Sequence, residues 1–221
     1  KYFLVINAGN IDKDWAHLMN EAKNFDVKLT NVSDKYAAIA VQGPESKKIL
    51  MTLSGGRQLT PENVKNALNS LTMEGKPVRI AKTGYTGEPI GYELYCNSED
   101  ARYFWDRLIE LGAKPTALGA RDTTRMEAAL PLYGHEMGEC EMGGEIQIYA
   151  VPLAKFAVSF DEAKGDFIGR EPLKKQFEAL KKIMNRDYSS IEDLPYRIQP
   201  IYLEGKGVLR KGFPIYCNCL L

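Results

Sequence analysis

The sequence predicts an α+β fold, antiparallel sheets with packed helices, and three observations carry that prediction. Residues 36–112 read as strand, helix, several strands and helix, not as repeated strand–helix units, which favours an antiparallel sheet with helices on one face over a doubly wound parallel sheet. Between residues 71 and 96 the pattern is that of strands, while the flanking segments place apolar residues at helical spacing. With 221 residues, 44% hydrophobic and 26% charged, the chain can bury a core of one to two domains and is neither disordered nor low-complexity.

The elements follow in order. Tyr2-Phe3-Leu4-Val5-Ile6 reads as a strand, Asn7-Ala8-Gly9-Asn10 as a polar turn, and Ile11, Trp15, Leu18, Met19 and Ala22 as one helical stripe. Residues 36–41 form a short apolar run closed by Gly43-Pro44, and residues 45–53 are helical in character. Thr60-Pro61-Glu62-Asn63 carries an N-cap residue followed by proline and predicts a short helix. Glu74-Gly75 makes a turn, 78–81 a strand, 84–91 a loop and 92–96 a strand. Ser98 is expected to cap a helix with Ala101, Phe104, Trp105, Leu108 and Leu111 on one face and Gly112 as terminator. Residues 118–130 predict a further helix before a glycine-rich stretch. Residues 172–184 are amphipathic through Leu173, Phe177, Leu180 and Met184, 185–193 read as a linker, and 198–216 alternate strand and turn as the opening of a small β domain.

Charge and cysteine content exclude several classes. Lys+Arg and Asp+Glu are equal at 29 each, so no bulk basic field exists to draw nucleic acid or an anionic membrane. No apolar run approaches the roughly 20 residues that span a bilayer, and the mean hydropathy is −0.31, so a soluble protein is expected. Cys96, Cys140, Cys217 and Cys219 form no CxxC pair and no disulfide framework, which fits a reducing compartment. Cys217 and Cys219 lack third and fourth ligands nearby and read as incidental thiols, so no metal is expected.

Three places could carry chemistry. Thr83-Gly84-Tyr85-Thr86-Gly87-Glu88-Pro89-Ile90-Gly91 sets glycines around a tyrosine and leads into a strand bearing Glu93. Glycine lets backbone approach a ligand and the aromatic ring can stack on it; the stretch reads equally as a wide hairpin loop with incidental acids. It lacks the ending of a phosphate loop. Arg121 and Arg125 lie four apart on one helical face. Arg121 falls in the first turn, where the helix dipole disfavours a cation, so either a ligand or partner meets it or the face is solvated with an Asp122–Arg125 pair. Asn7 offers a donor and an acceptor to a polar ligand, or simply forms a turn. His17 and His135 have no nucleophile motif or HExxH spacing and read as structural or surface residues.

In this order, these segments resemble the aminomethyltransferase (T-protein) family of the glycine cleavage system. The resemblance rests on Val5-Ile6-Asn7-Ala8-Gly9-Asn10-Ile11, Val41-Gln42-Gly43-Pro44, Thr83-Gly84-Tyr85-Thr86-Gly87-Glu88, Tyr92-Glu93-Leu94, Leu118-Gly119-Ala120-Arg121-Asp122, Leu132-Tyr133-Gly134-His135-Glu136 and Asp166-Phe167-Ile168-Gly169-Arg170-Glu171. It covers most of the chain up to about Leu173, with a weaker echo at 207–212. The resemblance implies a folate-binding region over 1–185 and the start of a C-terminal β-barrel over 196–221. It implies transfer of the one-carbon unit from the aminomethyl-lipoyl arm of the H-protein to tetrahydrofolate, with release of ammonia, in the bacterial cytoplasm or the mitochondrial matrix. Asn7, Tyr85, Glu93 and Arg121 would then line the pterin pocket, with Glu93 accepting two adjacent pterin N–H groups.

Three departures go with it. The aspartate that the family places beside the reacting folate nitrogens precedes the point where this sequence begins, so the resemblance implies no catalytic aspartate within the chain and little or no turnover by these 221 residues alone. Residues 145–155 replace a glycine-rich stretch, and the sequence stops at Cys217-Asn218-Cys219-Leu220-Leu221, where the barrel would continue; the resemblance therefore implies a copy incomplete at both ends. Two other readings remain open: the folate-binding domain of a dimethylglycine- or sarcosine-oxidising enzyme, and a non-catalytic folate-binding protein of the same fold.

Overall fold

The chain is described by a computed structural model over residues 2–62, 64, 66–140, 143–151, 153–208 and 213. Two compact units divide it, Lys1–Leu130 and Pro131–Leu221.

In the first unit, α1 (Ile11–Glu21) carries Asp12 and Asp14 in its first turn, where the helix dipole favours them. Its stripe of Ile11, Trp15, Leu18 and Ala22 is half-buried, whereas Met19 is exposed. Strand β1 (Tyr36–Gln42) leads into α2 (Ser46–Leu53). Strands β2 (Leu68–Met73) and β3 (Lys76–Ala81) form a hairpin, and β4 (Gly91–Asn97) follows the loop after β3. All pairings are antiparallel, in the order β1-β4-β3-β2. Helices α3 (Ala101–Glu110) and α4 (Leu118–Glu127) complete the unit.

Alternation along the strands decides the two faces of the sheet. Val41, Val78, Ile80, Tyr92, Leu94 and Cys96 point to one face, where Ile49, Leu50 and Leu53 of α2 and Phe104 and Leu108 of α3 cover them. Leu50, Ile80, Leu94 and Phe104 are fully buried, each contributing about 1.5–3 kcal/mol of transfer free energy. Residues of the opposite parity, including Ala38, Ala40, Gln42, Arg79, Ala81, Glu93 and Tyr95, belong to the other face.

Several expectations are corrected here. Residues 2–7 form no strand; instead Phe3 lies edge-on to Tyr36 and Tyr95 at centroid distances of 5.4 and 5.8 Å, with the Arg79 guanidinium 5.0 Å from its ring. Its apolar residues make a side-chain latch rather than a ladder. No helix forms among the described residues of 60–66; one short turn does not repay helix nucleation, and Ala67 is already drawn into the sheet as acceptor from Lys82 N–H. Ser98 is not a cap: its hydroxyl donates to the Asp34 carbonyl, while Asp100 precedes α3 and pairs with Lys76. Trp105 is exposed, so the inner stripe of α3 is Ala101, Phe104, Leu108 and Leu111, and Gly112 ends it at φ +98° as expected.

The β2–β3 turn places Glu74 and Gly75 at φ +46° and +82°, the pair of positive values that a two-residue hairpin requires. Glutamate is costly there, and the offset is visible in its partners. Arg107 binds both carboxylate oxygens, at 3.0 and 2.8 Å, and the Tyr103 hydroxyl donates at 2.7 Å. The bonds from Arg107 and then Tyr103 hold the Glu74 carboxyl down at about 2, from an ordinary 4.5.

In the second unit, the short strands β5 (Gly138–Glu139) and β6 (Glu145–Ile146) pair, and α5 (Ala154–Ala157) and α6 (Arg170–Met184) follow. The stretch that departs from the glycine-rich family pattern builds the core: Tyr149, Ala150, Val151 and Ala154 are buried, and Tyr149 and Phe160 lie against Phe177 of α6 at 5.2 and 5.4 Å. Leu173, Phe177 and Leu180 face inward as the periodicity predicts, and Met184 does not. Residues 185–193, read as a linker, are tied to α6 by Lys182, which bonds Ser190 Oγ at 2.7 Å, and Leu194 beyond them is buried. Described residues between 196 and 208 form no strand. Residues 209–212 and 214–221, which include Cys217 and Cys219, lie outside the described residues, as do the rest of the predicted barrel start and the 207–212 echo beyond Val208.

Two outcomes follow from this packing. Leu94→Ala destabilises the first unit by about 2–5 kcal/mol in a denaturant titration. Glu74→Gln lowers stability at pH 7 by about 1–3 kcal/mol. Because the folded carboxyl titrates below the unfolded one, wild-type Glu74 stabilises fully above the unfolded value of 4.5 and loses this as pH falls towards 2, so the gap between the two proteins closes over that window.

Candidate functional site

Glu93 lies on the sheet face opposite the helical core, between Ala40 of β1 and Ala81 of β3. Alanine on both sides leaves no large side chain over the carboxylate from its cross-strand neighbours, and Ala38 and Ala40 are exposed. Two residues along the strand, on the same face, the Tyr95 hydroxyl donates to Glu93 Oε2. Burial first, and then this bond, push the Tyr95 hydroxyl up, so it stays a donor at neutral pH. A carboxylate with one oxygen so engaged retains acceptor capacity for a ligand N–H. Motif reading missed Tyr95; the period-two spacing of 93 and 95 was the signal available.

Tyr85 is half-buried in the loop joining β3 to β4. The loop is held at both ends. Gln42, the last residue of β1, donates through Nε2 to the carbonyls of Thr83 and Tyr92 at 3.2 and 2.9 Å, and Gly43 N–H donates to Ile90 O at 2.9 Å. At the loop tip Gly87 has φ +81°, and a Cβ built there would stand 2.6 Å from the Ala128 methyl, just past the end of α4. Glycine is required twice over, by conformation and by contact.

Helix α4 presents its two arginines differently. Arg125 is buried, with Nε on Asp122 Oδ1 at 2.7 Å and Nη1 on the Leu130 carbonyl at 3.1 Å, so it closes the helix end that meets Gly87. The expected Asp122–Arg125 pair is present, but its arginine is in the interior and not on a solvated face. Arg121, one turn earlier, is exposed. No ion pair joins Arg121 to Glu93 among the described residues; the group on Glu93 is Tyr95. Asn7 is exposed and accepts Gly9 N–H on Oδ1 at 3.0 Å, capping a short 3-10 turn, Ala8–Asn10. The loop that carries Tyr85 runs directly into the strand that carries Glu93, and the loop tip abuts Ala128 at the end of the helix that bears Arg121.

A shallow basin of about 550 Å³ lined by Pro44, Lys47, Lys48, Met51, Thr52, Gly56 and Ile90 contains none of these residues. Among the described residues, no group of three or more His, Cys, Asp or Glu side chains is arranged to hold a metal ion, and no helix is long and apolar enough to cross a membrane.

Comparison with known proteins places this chain in a family. The family model of the GCVT N-terminal domain matches residues 1–150. An aminomethyltransferase of Halalkalibacterium halodurans is 40% identical over 99% of this chain and 54% of its own length. One from Caldanaerobacter subterraneus subsp. tengcongensis is 37% identical over 98% and 53%, and one from Staphylococcus carnosus 42% identical over 80% and 47%. The crystal structure of glycine cleavage system aminomethyltransferase T from Bartonella henselae is similar with a TM-score of 0.56 at 26% identity, covering 80% of this chain and 44% of that one. The chain spans about half the length of the curated relatives it matches.

The Gly87 contact yields a test of how the loop is seated. Gly87→Ala, strained in backbone and in collision with Ala128, costs about 1–3 kcal/mol in thermal or chemical unfolding, whereas Ala128→Gly in the same background recovers part of that loss.

Proposed function

The chain belongs to the aminomethyltransferase family of the glycine cleavage system, and from that premise we propose that the β4 face of its first unit takes part in tetrahydrofolate-dependent aminomethyl transfer. The aminomethyl group arrives on the lipoyl arm of the H-protein. Its carbon is passed to tetrahydrofolate: the bonds to sulfur and to the amine nitrogen break, two bonds to folate nitrogens form, and ammonia and the dihydrolipoyl H-protein leave.

The observation that carries this reading is Glu93, an acidic side chain set between two alanines on the sheet face opposite the core and oriented by Tyr95. A reduced pterin offers two adjacent N–H groups, and a carboxylate of fixed orientation is the acceptor that matches them. Tyr85, on the loop that feeds β4, supplies a flat contact to the ring. Arg121, exposed on α4, is a cation available to the pterin carbonyl or to the glutamate tail, and Asn7 contributes its amide N–H groups, since Oδ1 accepts Gly9 N–H. The chemistry needs positioning above all, because the one-carbon unit must meet the folate nitrogen before water takes it as formaldehyde. The bacterial cytoplasm is the compartment proposed, on the strength of the bacterial relatives.

Calorimetric titration of tetrahydrofolate tests the assignment. Glu93→Gln keeps the side-chain shape and can still accept the Tyr95 hydroxyl, but replaces one acceptor oxygen by a donor. The variant binds tetrahydrofolate more weakly by about 1.5–3 kcal/mol. Equal affinity in the two proteins would remove Glu93 from the folate site.

A further inference from the structure

We propose that Gln42 is a positioning residue for the ligand face, its carboxamide clasping the two ends of the loop 83–92 and so setting Tyr85 for contact with the pterin. The inference rests on the reading that this loop and Glu93 form the folate site. Gln42 stands opposite Gly91 in the β1–β4 register, on the same face as Glu93. One –NH₂ group serves both loop ends, at Thr83 O and Tyr92 O. Both partners are acceptors, which settles the orientation of the carboxamide and turns Oε1 away from them.

Oε1 is buried and has no hydrogen-bond partner among the described residues. Leaving a buried carbonyl unpaired is unfavourable, and an apolar side chain of similar size would avoid it. What the carboxamide adds is a pair of donors aimed at the loop's entry and exit. The flanking glycines agree with that role. A Cβ at Gly84 would lie 2.0 Å from Oε1, and one at Gly91 2.3 Å from it. Neither glycine needs a positive φ, so what these positions require is the absence of a side chain and not left-handed freedom. Gln42, Gly84 and Gly91 are thus one packing unit, built around the carboxamide. Tyr85 follows Gly84 directly and is separated by one residue from Gly87, which abuts Ala128, so the tyrosine is held between two anchors.

The test uses the full chain and reads hydrogen exchange of the loop amides together with tetrahydrofolate affinity. In Gln42→Ala the amides between 84 and 91 exchange faster and the dissociation constant rises, each by about tenfold, as expected for the loss of two hydrogen bonds. Gln42→Met, which keeps the volume and removes the donors, gives the same result and serves should the alanine variant not fold. Gly84→Ala reproduces the effect, since its methyl group takes the place of Oε1 and expels the carboxamide. In the double variant the Gly84→Ala step is nearly silent, because the group it displaces is already gone. In a Tyr85→Ala background, Gln42→Ala weakens folate binding by less than about twofold further, which a general loss of structure would not do. Additive effects of Gln42→Ala and Gly84→Ala, or wild-type affinity in Gln42→Ala, overturn the inference and leave the Glu93 assignment standing. A wild-type protein that takes up no tetrahydrofolate overturns the folate reading and with it the positioning role, and the exchange measurement then still decides whether the clasp exists.

Discussion

Strand β4 is hydrogen-bonded along both edges, to β1 on one side and β3 on the other, and its alternation divides the first unit into a core face and an opposite face that carries the candidate site. A one-residue slip in its register would bring Glu93 into contact with Leu50 and Phe104 and expose Leu94, exchanging a buried apolar side chain for a buried charge. The core therefore fixes the face on which Glu93 and Tyr95 stand. Tyr92, Leu94 and Cys96 have no other place to go, and once they are seated, Glu93 and Tyr95 stand together on the far side. The hydrogen bond from Tyr95 to Glu93 is a consequence of that parity.

The rest of the candidate site is built outward from β4 by contacts that hold backbone. Gln42 and Gly43 tie down the loop where it leaves β3 and enters β4, and Gly87 rests on Ala128. Behind Ala128, buried Arg125 bonds Asp122 and the Leu130 carbonyl. Leu130 N–H in turn reaches the Arg125 carbonyl across Ala129, which sits at φ +54°. A non-glycine residue in that conformation is strained, and the arginine gives the turn a reason to persist. Arg121 and Arg125, identical in type and one turn apart, thereby take different parts: one is an exposed surface cation and the other an internal brace.

What was legible in the chain was periodicity. The strands 36–42, 76–81 and 91–97, the Glu74-Gly75 turn, and helices α1, α2, α3, α4 and α6 follow patterns of two or 3.6, because burial of one face imposes those periods. Misreadings fell where a short segment carries no period of its own. Residues 2–6 are apolar enough for a strand, yet Phe3 is used as a side-chain latch on Tyr36 and Tyr95. Thr60-Pro61 has the chemistry of a helix start without enough following residues to propagate one. Ser98 has the chemistry of a cap, but its hydroxyl donates instead to a carbonyl 64 residues away in sequence. Motif reading pointed to Glu93 and Tyr85; Tyr95 and the clasping role of Gln42 are absent from it because both depend on which strands are neighbours.

By itself the sequence determined the class of fold, the balance of charge that disfavours a polyanion partner, and the parity of β4, since these depend on composition and on local spacing. Tertiary structure decided which polar groups meet. Glu93 takes its proton donor from within its own strand and not from Arg121, Glu74 in its strained turn is held by Arg107 of a helix 33 residues further on, and the carboxamide of Gln42 closes a loop that begins 41 residues later. Such contacts join positions whose separation along the chain carries no period, so only the closing of the sheet and the packing of helices upon it specify them.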